Sequence, residues 1–417
     1  MKAGYKQTEV GVIPREWEVK TFGRLYAEPS RNGIYKSTEY QGRGTRIVNM
    51  GEMFGLDFIS NQEMSRVSLT PKEVATNSLC NGDLLFGRRS VVPEGAGKCS
   101  LVIDPSEPMT FESSIIRVRL NQAAANPLFQ YYFFASPTGR ALMNIIVAGT
   151  NVKGIRGTEL RDLKIPQPPL PEQCVIARAL SDADALLGGL DRLIAKKRDL
   201  KQAAMQQLLI GDKRLPGFQG EWKVNRLGDC LLARPDYGIN AAAVPFSDKL
   251  PSYIRITDIS EHGRFCPDPR VSVKAANADQ FYLHMGDIVF ARTGASVGKS
   301  YLYDTRDGEL VFAGFLIRVR PNPELLVPAF LAAYATTRPY WNWVRLMSMR
   351  SGQPGINGKE YAQLPLSLPA LPEQAAITEV LTDMDAELAA LEQRRHKTCD
   401  LKQAMMQELL TGKTRLI

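Results

Sequence analysis

The sequence predicts an α+β architecture. Two mixed α/β domains are separated by two long antiparallel coiled-coil helices, and the halves are related by a pseudo-two-fold internal repeat. Three observations carry this reading. The first is self-similarity: residues 170–215 and 371–416 align without a gap at an offset of 201, with 24 identities in 46 positions. Chance alone would give roughly 6%. The second is a pair of helix-period segments at those positions, and the third is a run of short β-rich stretches in front of each. With 417 residues the chain is also too long for one ordinary core. The expected division is 1–168, a first α/β domain; 169–212, a central helix; 213–368, a second α/β domain; and 369–417, a C-terminal helix.

The helices are bounded by recognisable signals. Pro171 suits a first helical position, where its missing N–H costs nothing, and Glu172 follows near the positive end of the helix dipole. Gly211 and Gly412 suit the residue just past a helix end. About 39 residues lie between such marks, or roughly 58 Å at 1.5 Å per residue. Apolar residues recur at steps of three and four: Ile176, Leu180, Ala183, Leu187, Leu190 and Ile194, then Ile377, Leu381, Met384, Leu388, Leu391, Leu401, Met405 and Leu409. Such a seam needs a long partner, and the other helix of the chain is the obvious one. Lys196-Lys197-Arg198 and Arg394-Arg395 interrupt the seam and read first as a solvated face, second as a phosphate contact. Gly188-Gly189, opposite Ala389-Ala390, suggests close helix approach.

The α/β segments show strand-like runs at 46–50, 83–86 and 114–118, with counterparts at 253–256, 287–290 and 315–319. A helical stretch follows each set, near 127–135 and 328–336. The order of matches persists upstream: Ile116-Arg117-Val118-Arg119 parallels Ile317-Arg318-Val319-Arg320, and Gly82-Asp83 parallels Gly286-Asp287.

Composition narrows the function. The 52 Lys and Arg against 44 Asp and Glu give a net charge of +8, which favours a polyanionic partner. Six scattered cysteines form no C-x-x-C pair, and the three histidines lie far apart, which disfavours zinc ribbons, redox motifs and a histidine metal site. No apolar run reaches membrane-spanning length. The opening Met1–Gln7 has no apolar core of a secretion signal, so the expected location is cytoplasmic.

Candidate DNA-binding residues lie in two loops of each half. After the Gly-Asp strand come Arg88, Arg89 and Lys98, and in the second half Arg292, Thr293, Ser296 and Lys299. Before the long helices come Asn151, Lys153 and Arg156, and then Arg350, Gln353 and Asn357. Arginine and lysine can read guanine edges, asparagine and glutamine adenine, and glycine-loop N–H groups can hold phosphate; polar loops are also the ordinary state of a protein surface.

Catalytic motifs are not convincing. Gly294-Ala295-Ser296-Val297-Gly298-Lys299-Ser300 has three residues between its glycines, where a phosphate-binding loop needs four. The next residues read as strand rather than helix. Asn126-Pro127-Leu128-Phe129 approaches the Asn-Pro-Pro-Phe/Tyr loop of adenine methyltransferases but departs at Leu128, and its counterpart Val327-Pro328-Ala329-Phe330 lacks the asparagine. It reads better as a helix start. No catalytic and no metal residues are assigned.

The whole chain resembles the specificity subunits of type I restriction–modification systems. The residues that carry this are Tyr5 to Trp17 at the start, Pro168 to Gln173 and Pro369 to Gln374 opening the helices, and the linker Leu215 to Trp222. The resemblance implies a non-catalytic subunit whose α/β domains are target recognition domains, each reading half of a bipartite, asymmetric site on double-stranded DNA. The helices would fix the spacing between them. It implies partners: methyltransferase (modification) subunits, and nuclease/translocase (restriction) subunits. S-adenosylmethionine, ATP and magnesium would belong to those partners, leaving no cofactor in this chain. The competing readings are a stand-alone DNA methyltransferase or nuclease with unrecognised motifs, and a scaffold protein that binds no DNA.

Overall fold

The computed structural model describes residues 4–149, 152–349 and 353–416. The chain forms two compact units, 1–191 with 393–417 and 192–392. Each long helix is therefore shared between units. The first runs Leu170–Leu208 and the second Leu371–Leu409, 39 residues each.

In the first unit a five-stranded sheet has the spatial order Arg31–Asn32, Ile115–Val118, Leu84–Gly87, Cys99–Val102, Phe58–Ile59. Its central strand Leu84–Gly87 is antiparallel to both neighbours, with Phe86 opposite Ile116 on one side and Cys99 on the other. All four residues of that strand are buried, because side chains alternate between two covered faces. Leu84 and Phe86 join Phe22, Phe129, Phe134, Ile176, Leu180 and Leu409 beneath the helices. Leu85 joins Val48, Val102, Phe111 and Ile115 on the opposite face. The strands Met109–Phe111, Gln41–Val48 and Arg66–Val67 form a second sheet there.

The second unit repeats this plan. Ile288–Ala291 lies between Leu316–Val319 and Ser300–Leu302, with Asp236–Tyr237 at the edge. Ile288 and Phe290 pack with Phe330, Tyr340, Ile377 and Leu381, while Val289 and Ala291 pack with Ile254, Phe312 and Leu316.

Ion pairs tie the helical segments inside each unit. In the first, Lys402 Nζ lies 2.5 Å from Asp184 and Arg395 Nε 2.5 Å from Asp191. In the second, Lys201 meets Asp385 at 2.5 Å, Lys197 meets Glu387 at 2.7 Å and Arg198 meets Glu392 at 2.6 Å. From Asp184 to Asp191 the partner falls from Lys402 to Arg395, and from Lys197 to Lys201 it falls from Glu387 to Asp385, the order of antiparallel segments. Lys197, Arg198 and Arg395 thus pair with carboxylates of the other helix while Arg198 and Arg395 stay exposed, in keeping with a solvated face that carries ion pairs. The seam also departs from expectation at Leu401, which is 60% exposed; Lys402 turns inward in its place to reach Asp184. Close helix approach does not explain Gly189, since a Cβ there would meet open space.

The helix ends are clasped. The buried carboxylate of Glu172, in the first turn of the first helix, accepts from Trp17 Nε1 at 2.9 Å and from both Nε and Nη2 of Arg415, which follows the second helix. In the second unit Arg214, following the first helix, grips buried Glu373 through Nε and Nη2 at 2.5 Å each. Gly412 sits at φ +71° against Pro14 and Trp17, and Gly211 at φ +80° against Trp222. A side chain at Gly412 would collide with the Pro14 ring, so the positive φ and the lack of space both require glycine there.

Among the helices not expected from the sequence, the two longest are Pro137–Ile146 and Arg338–Ser348. The first is capped by Ser136, whose Oγ accepts from Gly139 N at 3.1 Å. The 253–256 run is strand only to Ile254; there Arg255 N donates to the Asp258 carboxylate at 2.8 Å and opens a tight turn. Among the described residues no helix is long and apolar enough to cross a membrane.

Arg415→Ala leaves Glu172 buried with only Trp17 as donor. The expected loss is about 3 kcal/mol, the lower end for a broken buried pair, since Trp17 remains and the guanidinium is partly hydrated. Lys164→Ala, which breaks an exposed pair with Glu9, is expected to change stability by less than about 0.5 kcal/mol. Urea unfolding of the two variants measures the difference.

Candidate nucleic-acid interface

The loop after the Gly-Asp strand and the loop before the long helix, far apart in sequence, meet in each unit. In the first, Lys153-Gly154 forms a short antiparallel ladder with Arg89-Ser90. Arg88 is fixed at both ends of its peptide: its N–H donates to Ser114 O at 2.7 Å, and its carbonyl accepts from Ile155 N at 3.0 Å. In the second unit Thr293 bridges to Gly355. Arg292 N donates to Phe315 O at 3.0 Å, and its carbonyl accepts from Ile356 N at 2.8 Å. One backbone device is used twice.

The first-unit loops border an open cleft of about 890 Å³, lined by Arg88, Arg89, Lys153, Arg156 and Arg161 with Asn32, Tyr26 and the backbone of Gly149, Gly154 and Gly157. Glu159 is the acidic side chain in that lining. Arg88 Nη1 donates to Ser113 O at 3.2 Å. Arg89 and Lys153 have no ion pair among the described residues. Arg156 has a loose one, 3.8 Å to Glu159, while its side chain is 83% exposed. Burial pushes the Tyr26 phenol well above its ordinary range. A hydrogen bond to Asp162 holds the Arg161 guanidinium more firmly protonated. A concave, cationic wall with glycine backbone between its charges can take a phosphate backbone and base edges.

In the second unit the Arg292 guanidinium lies over the Tyr237 ring, 4.8 Å from its centroid. Ser296 ends the tight turn Gly294–Ser296, and exposed Gln353 lies beside Gly294. The turn is followed by the strand Ser300–Leu302, as expected for a segment that is not a phosphate-binding loop.

Some sequence candidates have other work. Lys98 Nζ donates to Phe54 O at 2.8 Å, and its counterpart Lys299 pairs with Glu261 at 2.7 Å. Asn357 caps the short helix Gly358–Tyr361: its Oδ1 accepts from Glu360 N at 2.9 Å, and its own N–H donates to the Glu360 carboxylate. Asn151 and Arg350 lie outside the described residues. Conversely Asn32, Arg161, Tyr26 and Tyr237 escaped the sequence reading. The signal was there for two of them: Asn32 and Tyr237 each precede a Gly-Ile pair, Gly33-Ile34 and Gly238-Ile239.

The arginines in the repeated Ile-Arg-Val-Arg motif are structural. Buried Arg117 donates to Glu28 at 2.6 Å, and Arg318 to Asp236 at 2.6 Å. Burial lowers the affinity of Arg117 for its proton, whereas the hydrogen bond to Asp83 raises that of Arg119. Asn126 caps the helix Pro127–Ala135 by accepting from Phe129 N at 3.0 Å, which accounts for the methyltransferase-like run. Among the described residues no group of three or more His, Cys, Asp or Glu could hold a metal ion.

Two α/β readers on shared long helices define a class of DNA-recognition subunit, and the comparisons agree. The chain belongs to the family of the type I restriction modification DNA specificity domain, whose model matches residues 14–195 and 220–398. The putative type I restriction enzyme MjaX specificity subunit of Methanocaldococcus jannaschii is 22% identical, over 99% of this chain and 97% of its own length. The MjaVIII specificity subunit of the same organism is 21% identical over 97% and 94%. Among solved structures, the specificity (HsdS) subunit from Thermoanaerobacter tengcongensis is similar at a TM-score of 0.53 and 19% identity, covering 96% of this chain and 98% of that one. The S subunit from M. genitalium gives 0.53 and 16%, over 94% and 96%.

Asn357→Ala is expected to cost about 1 kcal/mol through the lost helix cap while leaving the order of preference among DNA sequences unchanged. Thermal melting and competition binding on a panel of duplexes check the two halves of that statement.

Proposed function

We propose that this chain is the sequence-reading subunit of a type I restriction–modification complex, non-catalytic by itself and acting on double-stranded DNA in the cytoplasm. Residues 1–168 and 213–368 are target recognition domains, each reading one half of a bipartite site. The helical stretches 169–212 and 369–417 form an antiparallel coiled coil that sets the unread spacer. Modification subunits methylate adenine and restriction subunits translocate and cut where this chain directs them. S-adenosylmethionine, ATP and magnesium are held by those partners.

One observation carries the reading: the same two-loop device occurs once per unit and bears Arg88, Arg89 and Lys153 in one copy and Arg292 in the other. The ion pairs of opposite number order support the antiparallel helices. Different side chains at equivalent points, Asn32 against Tyr237, support an asymmetric target. Neither a stand-alone methyltransferase nor a scaffold accounts for a duplicated cationic reader.

Mapping adenine methylation in the host with and without this gene is expected to reveal one bipartite motif with two different half-sites, lost on deletion. An unchanged methylome would overturn the proposal. In the assembled complex, Arg89→Ala and Lys153→Ala are each expected to weaken binding to all duplexes alike. Each should reduce the slope of log affinity against log salt by about 1, as read by fluorescence anisotropy from low to moderate salt.

A further inference from the structure

We infer that Arg292, held over the Tyr237 ring, reads a guanine in the half-site served by the second unit; this rests on the DNA-reading function proposed above. Three features single the residue out. Its backbone is pinned on both sides by Phe315 and Ile356, so the side chain leaves from a fixed point. Its guanidinium carbon lies over the Tyr237 ring, 4.8 Å from the centroid. That ring is in turn anchored, because Tyr237 lies on an edge strand opposite Ile317 and its hydroxyl accepts from Gly358 N at 2.9 Å.

The third feature is what Arg292 leaves unspent. Arg255, Arg306, Arg318 and Arg320 of the same unit each grip a carboxylate. Arg292 has neither an ion pair nor a side-chain hydrogen bond among the described residues. A ring contact takes up one side of a guanidinium and uses none of its N–H donors as conventional hydrogen bonds, so the fork stays available. A phosphate can also take the fork bidentately, but its contact would be the same for every sequence, so loss of preference at one base pair separates the two roles. A base edge gains much from such orientation, because two parallel N–H bonds must meet two acceptors at once.

Guanine offers two adjacent acceptors, O6 and N7, in the major groove; adenine pairs one acceptor with a donor, and thymine offers one acceptor and a methyl group. A fork that only donates therefore selects guanine. The counterpart Arg88 is held differently, by the Ser113 carbonyl, with Asn32 where Tyr237 stands, so the two half-sites are read by different chemistry at this point. Tyr237 is the positioning residue of the pair.

The test uses the complete chain assembled with its methyltransferase subunits and measures affinity for the methylated motif and every single-base-pair variant of it. The wild-type complex is expected to lose about 10- to 100-fold when one particular G·C pair in one half-site is replaced. Arg292→Gln should abolish that discrimination and leave the other positions as selective as before. Arg292→Lys should behave similarly, because a lone ammonium cannot make the bidentate contact. Tyr237→Ala should weaken preference at the same base pair, and Tyr237→Phe, which keeps the ring but loses the hydroxyl bonded to Gly358 N, should weaken it less. If Arg292→Gln weakens all duplexes equally, or changes no preference, the inference is overturned while the proposed function stands. If the wild-type complex prefers no duplex, the function itself fails. Should Arg292→Gln melt prematurely, Arg292→Lys and Tyr237→Ala decide the matter alone.

Discussion

Everything in each unit hangs on a carboxylate buried at the first turn of a long helix and the arginine that clasps it from beyond the end of the other helix. Glu172 is fully buried, and burying a lone carboxylate is costly enough that the position is tolerable only with Arg415 and Trp17 in place. Glu373 and Arg214 repeat the arrangement. The clasp makes the end of one helix a condition for the start of the other. It also brings the Trp17 segment against Gly412, so the β-hairpin Tyr5–Thr8/Gly11–Pro14 and the residues after the last helix share one cluster.

From that anchor the α/β layers follow by strand geometry. The first helix in one unit and the second in the other cover Phe86 or Phe290 on one face of a central strand, while Leu85 or Val289 enters a second core. Both faces of the strand are covered, and Arg88 or Arg292 follows directly at its C-terminal end. The preceding loop of the long helix returns there and hydrogen-bonds the same residue through Ile155 or Ile356. The cationic loops are thus mounted on a fully buried strand paired on both sides in each unit, which suits recognition that depends on fixed donor positions.

Much of this was legible in the sequence because repetition is robust to local ambiguity. Leu-Pro-Glu-Gln recurring at 201 residues marked both helix starts, and strand runs recurring at nearly the same offset marked the layers. What escaped is tertiary. Lys98 and Lys299 looked like free cations, but their acceptors lie far away in the chain, at Phe54 and Glu261. Asn357 looked like an adenine reader, although Asn-x-x-Glu is also a helix cap, and the cap is what formed. Leu401 fitted the heptad on paper, yet the Asp184 carboxylate draws Lys402 inward. Asn32 and Tyr237 were missed because their place in the site comes from pairing with Ile116 and Ile317; the Gly-Ile pair after each marks the two as equivalent, not as part of the site.

The proposed spacer role of the helices makes length the quantity to alter. Inserting four residues into both helices, after Asp191 and after Glu392, adds one turn and about 6 Å to each, against about 3.4 Å per base pair of duplex. The methylated motif of the assembled complex, read by single-molecule sequencing, should keep both half-sites and gain one or two unread base pairs between them. A motif whose spacer stays the same length, with both half-sites intact, would contradict the account.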